Sequence, residues 1–151
     1  MSTKADVLNE VDAALARFSK SLESVDEVHG TWDGALGTWS IVHLLQHLTG
    51  WLDEMTPALE RMARGERPTP EGVDYSAFDD WNAGFIEARG IQSLAEARAG
   101  FDSAHAAFRS AIEGVADERF GEGKTVNRLV DGVAIEHFEE HAEQIEAFLT
   151  G

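Results

Sequence analysis

Apolar side chains recur at intervals of three and four residues along four long stretches of this sequence. That spacing places them on one face of an α-helix, whereas a half-buried strand would alternate apolar and polar residues. No alternation of period two is long enough to predict a strand. The periodicity therefore predicts an all-α fold, in which four amphipathic helices bury their apolar faces against one another as a bundle.

Capping and helix-breaking residues predict where the first two helices begin and end. The first helix is expected over residues 4–24, before a segment that contains three glycines. Thr38 is the expected N-cap of the second helix, with Ser40 as the alternative. Pro57 falls inside that second helix, where it predicts a kink, and Gly65 is expected to end it.

The longest irregular stretch separates the second long helix from the third. It contains two prolines and a glycine, and a short helix is expected after it over residues 76–89. The capping box from Ser93 to Glu96 begins the third long helix, which continues to about Gly114. The fourth begins near Asn127. We expect residues 1–151 to form a single domain, an up-and-down four-helix bundle with one long connection between helices 2 and 3.

Composition excludes several kinds of site and suggests where the protein works. There is no cysteine, so disulfides, Cys-ligated zinc and a cysteine nucleophile are excluded. The net charge of −16 should repel phosphate backbones and anionic lipid, so neither nucleic acid nor a membrane is expected as a partner. The first residues do not read as a secretory signal, and no run of 18 apolar residues occurs, which predicts a cytoplasmic location.

Two pairs of histidines are each spaced four residues apart, so each pair leaves one face of a helix. They are His137 and His141 in the fourth helix and His43 and His47 in the second. One such pair on an acidic helix can simply be solvated. His47 and His141, however, lie beside the apolar positions of their helices. A histidine facing the core needs a partner for each ring nitrogen, which a metal, a carboxylate or a backbone carbonyl can supply.

Several segments together resemble one known family. "GTWSIVHLLQHLTGW" and "EHFEEHAEQI" are similar to the second-helix and fourth-helix motifs of the DinB/YfiT-like four-helix proteins. The middle of the chain, from "DDWNAGF" to "VADERF", is similar to the ClbS/DfsB-type branch. The resemblance implies a bundle that is often dimeric and that holds a divalent metal through His47, His137 and His141. We therefore expect a homodimer with these three metal ligands.

A site with three neutral imidazoles would leave a coordination position open for water or substrate. Nitrogen ligands without thiolate suit zinc, nickel or iron(II). Family members include enzymes that transfer low-molecular-weight thiols, so the resemblance implies a small-molecule transferase or hydrolase with a possible thiol cosubstrate. Two alternatives stay open: a binding or ClbS-like protective protein for a reactive small molecule without a catalytic metal, and a dimeric interaction protein. No catalytic residue is assigned from the sequence.

Carboxylates close to the proposed ligands are candidates to orient them. Glu136 and Glu140 flank the histidines of the fourth helix, and Asp53 lies on the second helix. A carboxylate that accepts the second ring N–H of a ligand histidine fixes its tautomer and its orientation. Most glutamates on an acidic helix are solvated, however, so a solvated side chain is the alternative for each of these three.

Four other residues have open roles. His43 is expected beside a ligand, at the pocket rim or in solvent, and Trp51 is expected in the core or as a wall of the metal pocket. Asn82 matches a position where the family often has Asn, and its plain role would be a helix cap or a loop hydrogen bond. His105, on the third long helix, is expected to be an exposed surface histidine, with a position facing the pocket as the alternative.

Overall fold

The computed structural model describes residues 2–151, and within that range it contains helices and no strand. The all-α prediction is therefore confirmed. In chain order the α-helices are α1 Lys4–Leu22, α2 Glu27–Gly30, α3 Ile41–Ala63, α4 Phe78–Arg89, α5 Leu94–Glu113, α6 Thr125–Val130 and α7 Glu136–Thr150. A π-helical segment, Asp131–Ile135, joins α6 directly to α7.

Four long helical units form the predicted up-and-down bundle: α1, α3, α5 and the continuous α6–α7 unit. The most extensive helix contacts are those of α3 with α5 and of α1 with α7. The long connection between the second and third units is residues 64–93, and it carries the short helix α4, which packs on α3. No helix among residues 2–151 is both long and apolar enough to cross a membrane.

The start of α3 corrects one predicted cap. Ser40, not Thr38, is the N-cap: its hydroxyl accepts a hydrogen bond from the His43 backbone N–H at 3.1 Å. The Ser40 N–H in turn donates to Nδ1 of His43 at 3.1 Å, so a histidine takes the place that Glu or Gln usually has in a capping box. The helix continues past Pro57 and ends just before Gly65, whose φ is 77°.

The other predicted boundaries differ from the structure by a few residues. α1 ends at Leu22, two residues before the predicted end. The capping box at Ser93 is present and begins α5. The fourth unit begins at Thr125 and is interrupted by the π-helical segment, which the sequence did not predict. A π-turn usually adds one residue to an α-helix, and such turns are frequent at functional sites.

The centre of the bundle is built on fully buried phenylalanines. Phe18 of α1 lies 5.2 Å from Phe101 of α5 and 5.9 Å from Phe138 of α7, measured between ring centroids. Phe101 and Phe138 are 5.5 Å apart. Each buried phenylalanine contributes about 2 kcal/mol or more through removal of apolar surface from water. Because Phe138 follows His137 directly, this packing holds the histidine-bearing helix against α1 and α5.

Gly50 allows α4 to lie close against α3. A Cβ placed on Gly50 would overlap the Phe85 ring of α4, so only glycine fits this contact. The next residue, Trp51, packs against Phe85 at 5.1 Å between centroids. The close approach brings α4 to the face of α3 that also carries His47.

Candidate metal centre

Three histidines from two helices come together beside the core. His47 of α3 and His137 and His141 of α7 each offer a ring nitrogen, and these three atoms lie within 4.8 Å of one another. The Nε2 atoms of His47 and His137 are 3.0 Å apart. His47 is 3% exposed and His141 8% exposed, whereas His137 is half-buried, so the cluster is shielded from solvent on most sides. The three residues that the sequence singled out thus share one site.

Each of these histidines uses its Nδ1 atom in a separate hydrogen bond. Nδ1–H of His47 donates to the Leu44 carbonyl oxygen at 3.0 Å, and Nδ1–H of His137 donates to the Val133 carbonyl oxygen at 3.3 Å. Both acceptors are backbone carbonyls one turn earlier on the same helical unit. Because a carbonyl oxygen can only accept, the proton of each neutral ring sits on Nδ1 and leaves Nε2 with a free lone pair.

The third histidine is oriented by a side chain that the sequence reasoning missed. His141 Nδ1 lies 2.7 Å from Oε1 of Gln144, one turn later on α7. The i, i+3 spacing of these two residues was visible in the sequence. Within residues 2–151, none of the three expected carboxylates forms a hydrogen bond with any of these three histidines. Asp53 instead pairs with Arg89 at 2.8 Å.

The Nε2 atoms are left in an unfavourable arrangement when no cation is present. His141 Nε2 is buried without a hydrogen-bond partner among the described residues. Nε2 of His47 and Nε2 of His137 face each other as two acceptors. A buried polar atom without a partner costs about 1–3 kcal/mol. A divalent cation at this point would engage all three lone pairs, so the residues present fit a metal.

Burial makes the same three rings resist protonation. Desolvation, followed by repulsion from His137 and His141, lowers the pKa of His47 from 6.5 to about 3. Desolvation, followed by repulsion from His141, lowers the pKa of His137 to about 4. The pKa of His141 is also lowered, first by desolvation. The rings are therefore neutral at physiological pH, which is the form that binds metal.

A cavity of about 500 Å³ opens beside His47 and His137, a volume usual for small-molecule sites. It lies between α3, α4 and the α6–α7 unit. Its lining consists of His47, Trp51, Met55, Tyr75, Phe78, Asn82, Arg128, Leu129, Gly132, Val133 and His137. The Trp51 indole N–H donates to Oδ1 of Asn82 at 2.7 Å, so Trp51 is a wall of this cavity and Asn82 bonds to it.

The remaining two histidines of interest lie outside the cluster. His43 caps α3 through its Nδ1 atom and is half-buried. The expectation that His105 is exposed is wrong, because its side chain is 5% exposed and packs between Phe101 and Phe138. Residues 101, 104, 105 and 108 share the buried face of α5, so the helical period already placed His105 on the apolar side.

Comparison with known proteins gives one family and several solved structures of the same fold. The sequence profile of the DinB superfamily matches residues 10–145. Among solved structures, the colibactin self-resistance protein ClbS in complex with a dsDNA is 15% identical, with a TM-score of 0.83, covering 99% of this chain and 96% of that one. No protein of curated function matches this sequence.

Two further solved structures have the same fold. An uncharacterised protein from Escherichia coli UTI89 is 15% identical with a TM-score of 0.83, covering 99% of this chain and 94% of that one. DfsB, a sibling lethal factor precursor, is 15% identical with a TM-score of 0.81, covering 99% and 96%. At this level of identity the likeness establishes the shared fold and no activity.

The ClbS complex overturns one expectation from composition. The net charge of −16 was taken to exclude nucleic acid, yet a protein of this fold is in complex with a double-stranded DNA. The exclusion was wrong, because net charge sums the whole surface while binding depends on the charges and shapes at one contact. An acidic total therefore does not rule out a nucleic-acid partner for this fold.

Proposed function

Because this chain belongs to the DinB superfamily, we propose that His47, His137 and His141 bind a divalent metal and that the adjoining cavity binds the protein's small-molecule substrate. One observation carries the proposal: one ring nitrogen from each of the three histidines lies within 4.8 Å of the other two, and each ring is oriented by an acceptor that is bonded to its Nδ1 atom. Metal-binding histidines usually have such a partner on the second nitrogen.

The ligand set narrows the choice of ion and leaves room for chemistry. Three neutral imidazoles without a thiolate suit zinc, nickel or iron(II). They fill three positions and leave at least one open toward a substrate, as in catalytic zinc sites. Two of the three histidines, His47 and His137, line the cavity, so a molecule bound there meets the site directly.

The reaction that fits best is transfer or hydrolysis of a small molecule. A bound divalent metal would make a water or thiol ligand easier to deprotonate and so supply a nucleophile near neutral pH. The cavity has an aromatic wall that includes Trp51, and Asn82 holds Trp51 in place through its hydrogen bond. The chain has no cysteine of its own, so any sulfur chemistry would require a low-molecular-weight thiol as cosubstrate.

Metal analysis of protein purified without a histidine tag tests the ligand set. The wild type should carry close to one equivalent of metal, and His137→Gln should lose it. His29→Gln is the matched control, because His29 is half-exposed on α2 and lies outside the cluster. Equal metal content in all three proteins would refute the assignment. Thiol-conjugation assays with loaded and chelated protein then test the reaction.

A second candidate is a protective protein that binds a reactive small molecule without a catalytic metal. It is supported by the fold that this chain shares with the colibactin self-resistance protein ClbS over 99% of its length. If protein whose metal has been removed by a chelator still binds an electrophile as fully as untreated protein does, this function is favoured over the metalloenzyme. Because ClbS is in complex with a dsDNA, fluorescence anisotropy with a labelled duplex at low salt belongs to the same test.

The cavity also argues against the third candidate function, a dimeric interaction protein. A dimeric interaction protein that had lost its chemistry would be expected to have a filled core, whereas this chain keeps a cavity of about 500 Å³ beside the histidines. The homodimer and the cytoplasmic location stay predictions. Light scattering at micromolar concentration tests the dimer, and a species of only 16.5 kDa would count against it.

A further inference from the structure

The cavity beside the three histidines differs in charge from the rest of the chain. Asp and Glu supply 28 of the 151 residues and give a net charge of −16. Among the described residues that line the cavity, however, none is acidic and one, Arg128, is basic. One lining side chain contacts an acid: the Tyr75 hydroxyl donates a hydrogen bond to Glu54 at 2.6 Å. The one formal charge on the described wall of the cavity is therefore positive, and it would attract an anionic group of a ligand.

Arg128 is available to such a ligand. Most arginines of this chain are paired with carboxylates; Arg109, for example, lies 2.7 Å from Asp12 and 2.9 Å from Glu113. Within residues 2–151, Arg128 forms no ion pair and no side-chain hydrogen bond, although it is exposed in a strongly acidic protein. A guanidinium at a cavity wall can bind a carboxylate through two parallel hydrogen bonds.

The shape of the cavity separates this charge from the histidines. Arg128 precedes His137 by nine residues on the continuous α6–α7 unit, which corresponds to about 13 Å along a helix axis. Between the two ends lie apolar and aromatic walls, among them Trp51 and Met55. A ligand that fills the cavity would thus have its apolar body on these walls and a polar group at each end.

We propose that the cavity selects a small molecule with a flat apolar body and a carboxylate or similar anionic group, and that Arg128 binds this anion. The opposite end of the ligand would then lie at the histidine cluster, where the reaction of the proposed function would occur. The inference rests on the proposed function because it takes the cavity as the substrate site. It adds the chemical class of the substrate and names a residue that determines specificity.

Two aromatic probes of equal size test the charge preference: 2-naphthoate, which is anionic, and 2-naphthamide, which is neutral. Dissociation constants are measured by NMR titration of the full chain with a chelator present, so that no metal can select the carboxylate. The Trp51 indole N–H resonance, assigned with Trp51→Phe, reports binding in the cavity. Arg128→Gln is compared with Arg67→Gln, which removes the same charge from an exposed position outside the cavity.

The wild type should bind 2-naphthoate at least about tenfold more tightly than 2-naphthamide, the effect expected of one charge-assisted hydrogen-bonded pair. Arg128→Gln should bring the two constants close together, and Arg67→Gln should keep the preference. A preference that survives in Arg128→Gln, or a wild type without one, overturns the inference while the cavity remains a binding site. If neither probe moves the Trp51 resonance, an aromatic anion of this size does not bind in the cavity, and that result also overturns the inference. The metal content of the same protein, measured without chelator, tests the proposed function separately: one equivalent of metal would leave the metal assignment standing, and its absence would refute that assignment alone.

Discussion

Acidification of the metal-free protein should reduce its stability through the histidine cluster. Burial lowers the folded-state pKa of His47 to about 3 and of His137 to about 4, both below the ordinary value of 6.5. As pH falls below 6.5, the unfolded chain takes up protons that the folded chain does not. The free energy of unfolding should therefore be highest above pH 6.5 and should decrease with pH until each folded pKa is reached.

The size of this effect follows from the two pKa values. At pH 5, a histidine with a pKa of about 6.5 when unfolded and neutral when folded destabilises the protein by about 2 kcal/mol relative to pH 7.5. His47 and His137 together should then cost about 4 kcal/mol over that range, with a limiting slope near 1.4 kcal/mol per pH unit for each ring. That sum is a large part of the stability of a domain, typically about 5–15 kcal/mol.

Urea denaturation at several pH values between 7.5 and 5, with a chelator present, measures the slope directly. His137→Gln removes one of the titrating rings and should lower the slope by nearly the contribution of one proton, about 1.4 kcal/mol per pH unit. Phe108→Leu is the control: it weakens a fully buried core position without removing a titrating group, so it should shift the curve and keep the slope. The same slope in His137→Gln and in the wild type would refute the claim that His137 stays neutral in the folded state.

Four further predictions follow from the site and its supports. Zinc at 100 times its dissociation constant should add about 2.7 kcal/mol to the free energy of unfolding. This increment should persist at pH 5 and be lost near pH 4 and below, because protons then begin to compete with the metal for the folded histidines. Gln144→Leu should weaken metal binding by about 10- to 100-fold in a calorimetric titration, because it removes the acceptor that orients His141; unchanged affinity would contradict this role. His105→Leu should raise the urea midpoint, with a gain of about 1–3 kcal/mol, because both nitrogens of the buried ring lack partners in the described structure; a lower midpoint would reveal a missed partner. Gly50→Ala should cost about 1–3 kcal/mol in thermal unfolding and should change the Trp51 fluorescence, because the added Cβ would displace Phe85 and α4; an unchanged melting temperature would contradict that close contact.

The fold could be predicted from the sequence because the apolar period and the cap at Ser93 are local signals. The choice between Thr38 and Ser40 was harder, since both are good N-cap residues. It is decided by His43, whose ring accepts the Ser40 N–H in a role that is usually filled by Glu or Gln. The π-helical segment has no comparable signal, because an i→i+5 hydrogen bond leaves no residue preference as clear as a cap.

The candidate site was predicted only as far as its three histidines. Their choice depended on the family resemblance, because spacing alone treated His43 and His47 alike. Two of the three orienting acceptors are the backbone carbonyls of Leu44 and Val133. Every residue has a backbone carbonyl, so the sequence does not indicate which one will accept a hydrogen bond. The pH range over which the protein loses stability could not be predicted either. It depends on how deeply the histidine rings are buried, which the sequence does not give.

The π-helical segment also determines how this helix can change in length. A regular α-helix turns by about 100° per residue, so the eight steps from Val130 to Phe138 would turn about 800° and leave the two side chains about 80° apart. Both are fully buried, because the wider turn of the π-helical segment absorbs the surplus residue. Removal of one residue here, for instance Gly132, leaves seven steps, which turn about 700° in a regular α-helix and keep both side chains within about 20° of the same face. Relatives that lose this residue would therefore have one uninterrupted α-helix in its place, with the histidines still directed toward α3.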